Sequence, residues 1–196
     1  FNSSIFKNTK VLNNNNFIDG NYISFKSTSE NSFNKNLILI YVESLENTFS
    51  KNKLFGENLL KNLLIENKNE KTIEKYHQVT GYGYSLASLV ATQCGIPLKP
   101  LGILSSSNTE TFKKFLPNID CLSDLLKNSN YHNVFITSDD LKRSGFLNFT
   151  NTHHFDEVFG LDELYNLGYK TSKSAWHNKN NWYGGIHDDE LLKFTI

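Results

Sequence analysis

Hydrophobic and polar positions are arranged along this chain in two different ways. Residues 37–42 (LILIYV) form an unbroken apolar run between polar Asn36 and Glu43, the pattern of a strand buried on both faces. Residues 132–138 (HNVFITS) repeat that pattern in shorter form and predict a second strand. Elsewhere the apolar residues recur at helical spacing. Leu59/Leu60 and Leu63/Leu64 in GENLLKNLLIENK predict one helix, and residues 85–94 (SLASLVATQC), stopped by Gly95 and Pro97, predict another. IDCLSDLLKNSNY predicts a third amphipathic helix, and GLDELYNLG a short one ending at glycine. DDELLKF predicts a last helix whose carboxylates stand at its N-terminus, where the helix dipole favours them.

This order of strands and helices predicts an α/β fold with a mostly parallel sheet flanked by helices. Residues 1–35 are rich in Asn, Ser and Lys and read as a connecting arm, with NYISFKS a possible edge strand within it. In parallel sheets, chemistry gathers beyond the carboxyl ends of the strands. Two polar groups are expected there: Glu43 and Ser44 after the first strand, and Ser138, Asp139 and Asp140 after the second.

Composition narrows the picture. The chain has 196 residues, with 20 basic and 20 acidic side chains, so no net basic charge points to nucleic acid. Its 38% hydrophobic and 13% aromatic content suits a folded domain. It holds no methionine, not even at position 1, and is therefore expected to be a segment of a longer product. No run approaches the roughly 20 apolar residues of a membrane span. The two cysteines, Cys94 and Cys121, read either as buried free thiols or, in an extracytoplasmic protein, as a disulfide.

A few residues offer chemistry. Glu43 directly follows a predicted buried strand, either as a solvated carboxylate or as a hard oxygen ligand for a divalent cation. Ser85 lies where a Gly-rich turn (GYGYS) meets a helix. A serine there caps the helix, or it is a phosphoryl-transfer nucleophile whose substrate oxygens are held by first-turn N–H groups. Lys142 and Arg143 follow the acidic loop after the second strand, as a solvated pair or as contacts for an anionic group. Six histidines show neither HxH nor HExxH spacing, which disfavours a histidine-only zinc site, and the pair His153–His154 reads as a turn.

Taken in order, NLILIYVESLENTF, GYGYSLASLVATQCGIPL, IDCLSDLLKNSNYHNVFITSDDLKRSGFLNF, HHFDEVFG and GGIHDDELL resemble the alkaline-phosphatase-like sulfatase superfamily. The resemblance is closest to the membrane phosphoglycerol transferases that decorate osmoregulated periplasmic glucans, with lipoteichoic acid synthases more distant. It covers roughly residues 36–192, and TQCGIPL is its most specific block.

The resemblance implies that residues 36–196 are the N-terminal part of a sulfatase-like catalytic domain. It implies that Glu43 and Ser85 bind the catalytic metal, Mn²⁺ or Mg²⁺ before Zn²⁺, and that Ser85 is the nucleophile in place of the more usual threonine. Lys142 and Arg143 are then candidates for the anionic substrate, and a Cys94–Cys121 disulfide is favoured. The family completes its metal site with an Asp-His pair further downstream than Ile196. The expected function is transfer of glycerophosphate from phosphatidylglycerol to a glycan, by a domain facing the periplasm from the bacterial inner membrane and anchored by segments outside this chain. Phosphoethanolamine transfer, sulfate-ester hydrolysis and a non-catalytic remnant that binds anionic glycans or lipid headgroups are the alternatives. The family's HGFD is HHFD here, with His154 in the glycine's place.

Overall fold

A computed structural model describes residues 35–63, 83–98, 114–142, 145–169 and 185–195. They fall into two compact units, with 35–63 in one and the remaining described residues in the other.

In the larger unit, α2 (Ser85–Cys94) follows the helical pattern of its sequence: Leu86, Ala87, Leu89, Val90, Gln93 and Cys94 are its buried residues. Gly95 ends it in the left-handed region at φ 68°, its N–H donating to the Ala91 carbonyl at 3.1 Å. Helix α3 (Leu122–Asn128) starts at Cys121, whose backbone N–H donates to the Asp124 carboxylate at 2.8 Å.

Strand β1 (Val134–Ile136) leads through α4 (Phe146–Thr152) to β2 (Glu157–Phe159), which pairs with β1 in parallel, Phe135 opposite Val158. This β–α–β unit is the α/β character expected, carried by two strands among the described residues. Helix α5 (Leu161–Asn166) begins at Gly160, whose N–H donates to the Glu163 carboxylate at 3.1 Å. A Cβ on Gly160 would stand 2.4 Å from Leu141 Cγ, so only glycine lets the chain pass here. Helix α6 is Asp188–Thr195.

The core lies between α2, α3, α4 and the loop before α3. Leu86, Leu89, Val90, Phe115, Ile119, Leu141, Phe146 and Phe149 form it, with Phe135 and Phe155 packed alongside. Phe149 meets Phe115 edge-on at 6.0 Å between ring centroids.

Two sequence expectations need correction. Residues 37–42 form no strand, and Ile38 and Ile40 are 79% and 73% exposed. The parallel partner of β1 is β2, a segment whose pattern is too short and too polar to declare a strand. An unbroken apolar run states that a segment suits burial on two faces but not what lies on those faces. The helix expected over GENLLKNLLIENK is also displaced. Helix α1 is Asn52–Phe55, closed by Gly56 at φ 78°, and residues 59–63 follow as turns. The remainder of that helix and the NYISFKS strand lie outside the described residues. No helix is predicted over α4, where Phe and Leu are interspersed with four polar residues.

Candidate functional site

Ser85 is the first helical residue of α2, and the cap position belongs to Tyr84, which is extended at φ −145° and ψ 153°. The Tyr84 carbonyl accepts the Ala87 and Ser88 N–H groups at 3.0 and 3.2 Å, and no side chain caps the helix. The Tyr84 hydroxyl donates to the Leu98 carbonyl at 3.0 Å, tying the helix start to the chain beyond its end. The cap position is thus Tyr84's, and Ser85 is the first residue inside the helix. Its half-buried hydroxyl stands at the positive end of a ten-residue helix whose inner face is fixed in the core.

Glu43 lies in the other unit, exposed, in a turn where Ser44 takes φ 58°. Its carboxylate is an oxygen donor of the kind that hard cations such as Mg²⁺ or Mn²⁺ prefer. Lys142 is exposed in the turn after β1, its N–H donating to the Asp140 carboxylate at 2.8 Å. It shares a shallow hollow with Asp140, Asp162 and Glu163, carboxylates that compete with any anionic ligand for its charge. Arg143 lies outside the described residues. At the carboxyl end of β1, the Ser138 carbonyl accepts the Ile186 N–H at 3.2 Å, and a Cβ on Gly185 would approach that carbonyl oxygen to 3.0 Å. The Asp139 carbonyl accepts the Leu161 N–H at 3.0 Å.

Cys94 and Cys121 are joined in a disulfide, with Cα atoms 4.1 Å apart, a little under the usual range for such bridges. The bond ties the end of α2 to the start of α3. Beside it stands a polar cluster that the sequence did not announce. Asp124 accepts hydrogen bonds from His153 Nδ1 at 2.9 Å, His154 Nδ1 at 2.7 Å and the Cys121 N–H. Burial alone would push the Asp124 carboxyl up; the bonds from His153, His154 and Cys121 outweigh it and hold the group below its ordinary range. His153 is fully buried, with Nε2 3.7 Å from Cys121 Sγ and its ring against Phe149.

His154 takes φ 56° in the turn after α4, a conformation glycine adopts freely and histidine seldom does. The turn reading of the pair is thus correct. The signal that these rings also do something was His154 itself, a bulky residue where the resembled family has glycine.

The chain is 37% identical over 158 residues to phosphoglycerol transferase I of Escherichia coli strain SMS-3-5, an alignment covering 80% of this chain and 19% of that protein. Phosphoglycerol transferase I of Escherichia coli O6:K15:H31 and of Shigella boydii serotype 18 are each 36% identical over the same length and shares. The chain is similar to one segment of phosphoglycerol transferase I. The likeness of its motifs to the phosphoglycerol transferases is borne out by these relatives. The chain spans about one-fifth of the length of these curated relatives. No family model matches it, and no solved structure matches it. Among the described residues, no helix is long and apolar enough to cross a membrane.

Proposed function

We propose that this chain is the nucleophile-bearing segment of an enzyme that transfers phosphoglycerol from phosphatidylglycerol to a glycan, with residues 36–196 the N-terminal part of a sulfatase-like domain at the periplasmic face of the inner membrane. The similarity to phosphoglycerol transferase I supports the reaction class. The observation that carries the site is Ser85 as the first residue of α2, with the capping position already held by Tyr84.

In this reading the Ser85 oxygen attacks the phosphorus of the lipid phosphodiester. The Ser85 oxygen–phosphorus bond forms as the hydroxyl gives up its proton, the bond to the diacylglycerol oxygen breaks, and that oxygen takes up a proton. A glycan hydroxyl then attacks the same phosphorus and loses its proton, while the phosphorus–Ser85 oxygen bond breaks and Ser85 regains a proton. The N-terminal dipole of α2 favours the developing negative charge on the phosphoryl oxygens. Glu43 and Ser85 would hold a divalent cation, Mn²⁺ or Mg²⁺ with Zn²⁺ a further candidate, and that ion would supply further positive charge at those oxygens. Lys142 and Arg143 are the candidates for the anionic headgroup. The acidic hollow around Lys142 makes its contribution the smaller, since the neighbouring carboxylates already answer part of its charge.

Ser85→Ala in the full-length gene product is expected to abolish transfer of labelled glycerophosphate from phosphatidylglycerol while leaving the circular dichroism spectrum unchanged. Near-normal transfer by that variant would remove Ser85 from the mechanism.

A further inference from the structure

The cluster beside the disulfide lies in the core, and nothing in the proposed transfer uses it. His153 donates from Nδ1 to the Asp124 carboxylate at 2.9 Å, which fixes the tautomer in which a neutral ring keeps a lone pair on Nε2. That lone pair faces Cys121 Sγ at 3.7 Å. A disulfide sulfur carries no proton to give it. Cys94 Sγ, Cys121 Sγ and the His153 ring nitrogen are all buried, and they lie within 4.8 Å of one another.

We propose that, once the disulfide is reduced, Cys94, Cys121 and His153 bind one soft divalent cation of the Zn²⁺ type, so that disulfide and metal centre are alternative states of one site. The donor set is two thiolates and one imidazole, which soft and borderline cations prefer. Around a tetrahedral Zn²⁺, sulfur and nitrogen ligands stand about 3.5 Å apart, close to the present Cys121–His153 separation. The two sulfurs would part, to about 3.8 Å. A carboxylate behind a ligating histidine is the usual support for such a centre, and Asp124 already holds that position. This site shares no residue with the pair Glu43 and Ser85.

The balance is simple. A dithiol reductant passes two electrons and two protons to the Cys94–Cys121 bond, which breaks to two thiols while the reductant becomes a disulfide. Binding of the cation releases the two thiol protons to solvent. Two thiolates and a neutral histidine around a divalent ion leave the centre uncharged, which suits a buried position.

The test is titration of the reduced full chain with Co²⁺ under anaerobic conditions, followed by displacement with Zn²⁺. One equivalent of Co²⁺ is expected to give the near-ultraviolet thiolate charge-transfer absorption of a tetrahedral centre. The oxidised chain should give none. His153→Ala should weaken binding at least tenfold, and Asp124→Asn by about 10–100-fold through loss of support to the ring. Asp124→Asn nearly preserves side-chain volume and serves where His153→Ala fails to fold. Absence of the absorption in the reduced wild type overturns the proposal. So does binding that is equally tight in both variants, including the case where reduction unfolds the chain and the cysteines bind alone.

Discussion

Residues 37–42 and the segment from Cys121 to Phe159 are both rich in apolar residues, yet they end in opposite environments. In the first, Ile38 and Ile40 are more than two-thirds exposed. In the second, Cys121, Phe149 and His153 are sealed in the core. The difference lies in how many independent signals each segment carries. The Cys121–Phe159 segment has a capping carboxylate, a helical period, a parallel strand pair and a disulfide, each of which limits where the others can lie. The 37–42 run has hydrophobicity alone. Consistency across several levels, rather than apolar content, separates the two.

The largest effect expected is on the crosslink. Replacing both Cys94 and Cys121 with serine should lower unfolding stability by about 3.5 kcal/mol on the chain-entropy model for residues this far apart in sequence. Chemical denaturation of oxidised wild type and double variant measures it. A loss under about 1 kcal/mol would mean that packing alone holds the segment together.

Asp124→Ala comes next. It leaves the His153 Nδ1–H and the Cys121 N–H without their acceptor in a buried place, which should cost about 2–3 kcal/mol. The pH dependence has a definite sign. A carboxyl depressed in the folded state contributes stability that is fully present above its ordinary value of 3.8 and is lost as pH falls through the lower folded value. Wild-type stability should therefore fall below about pH 4, more steeply than in Asp124→Asn. Asp156 acts in the same direction, because the hydrogen bond from Lys127 and then the Asn133 N–H hold it below its ordinary value, so the variant should retain a smaller acid loss. Parallel acid profiles for wild type and Asp124→Asn would show that the buried hydrogen bonds do not favour the ionised carboxylate.

Much of the larger unit was legible in the residues. The periods of 85–94 and 119–131 predicted α2 and α3, Gly95 and Gly168 marked helix ends, and HNVFITS predicted β1. The pairing of Cys94 with Cys121 came from the family resemblance, and the structure contains it. What stayed hidden depends on long-range contact. EVF is three residues long and becomes a strand only because Val134–Ile136 lies beside it. Asp124 reads as an ordinary helix-start carboxylate. Its two histidines arrive from about thirty positions away, and no local spacing encodes that meeting. Of the site, the sequence named Ser85 and placed it at a helix start, while the structure moved the cap to Tyr84.

The smallest effect bears hardest on the comparison. Ile38→Ser with Ile40→Ser should change the stability of this chain by less than about 0.5 kcal/mol, because exposed side chains forfeit little on replacement. A loss of several kcal/mol would show that the run is covered in solution, as a central strand would be.

The account turns on Ser85 as the group that receives the transferred phosphoglycerol. The most direct measurement is mass spectrometry of the full-length gene product, quenched in acid after brief incubation with phosphatidylglycerol without a glycan acceptor. The predicted result is a phosphoglycerol adduct on the peptide containing Ser85, absent from Ser85→Ala and discharged when glycan is added before the quench. An adduct on another residue, or transfer to glycan with Ser85 unmodified at every time point, would contradict it.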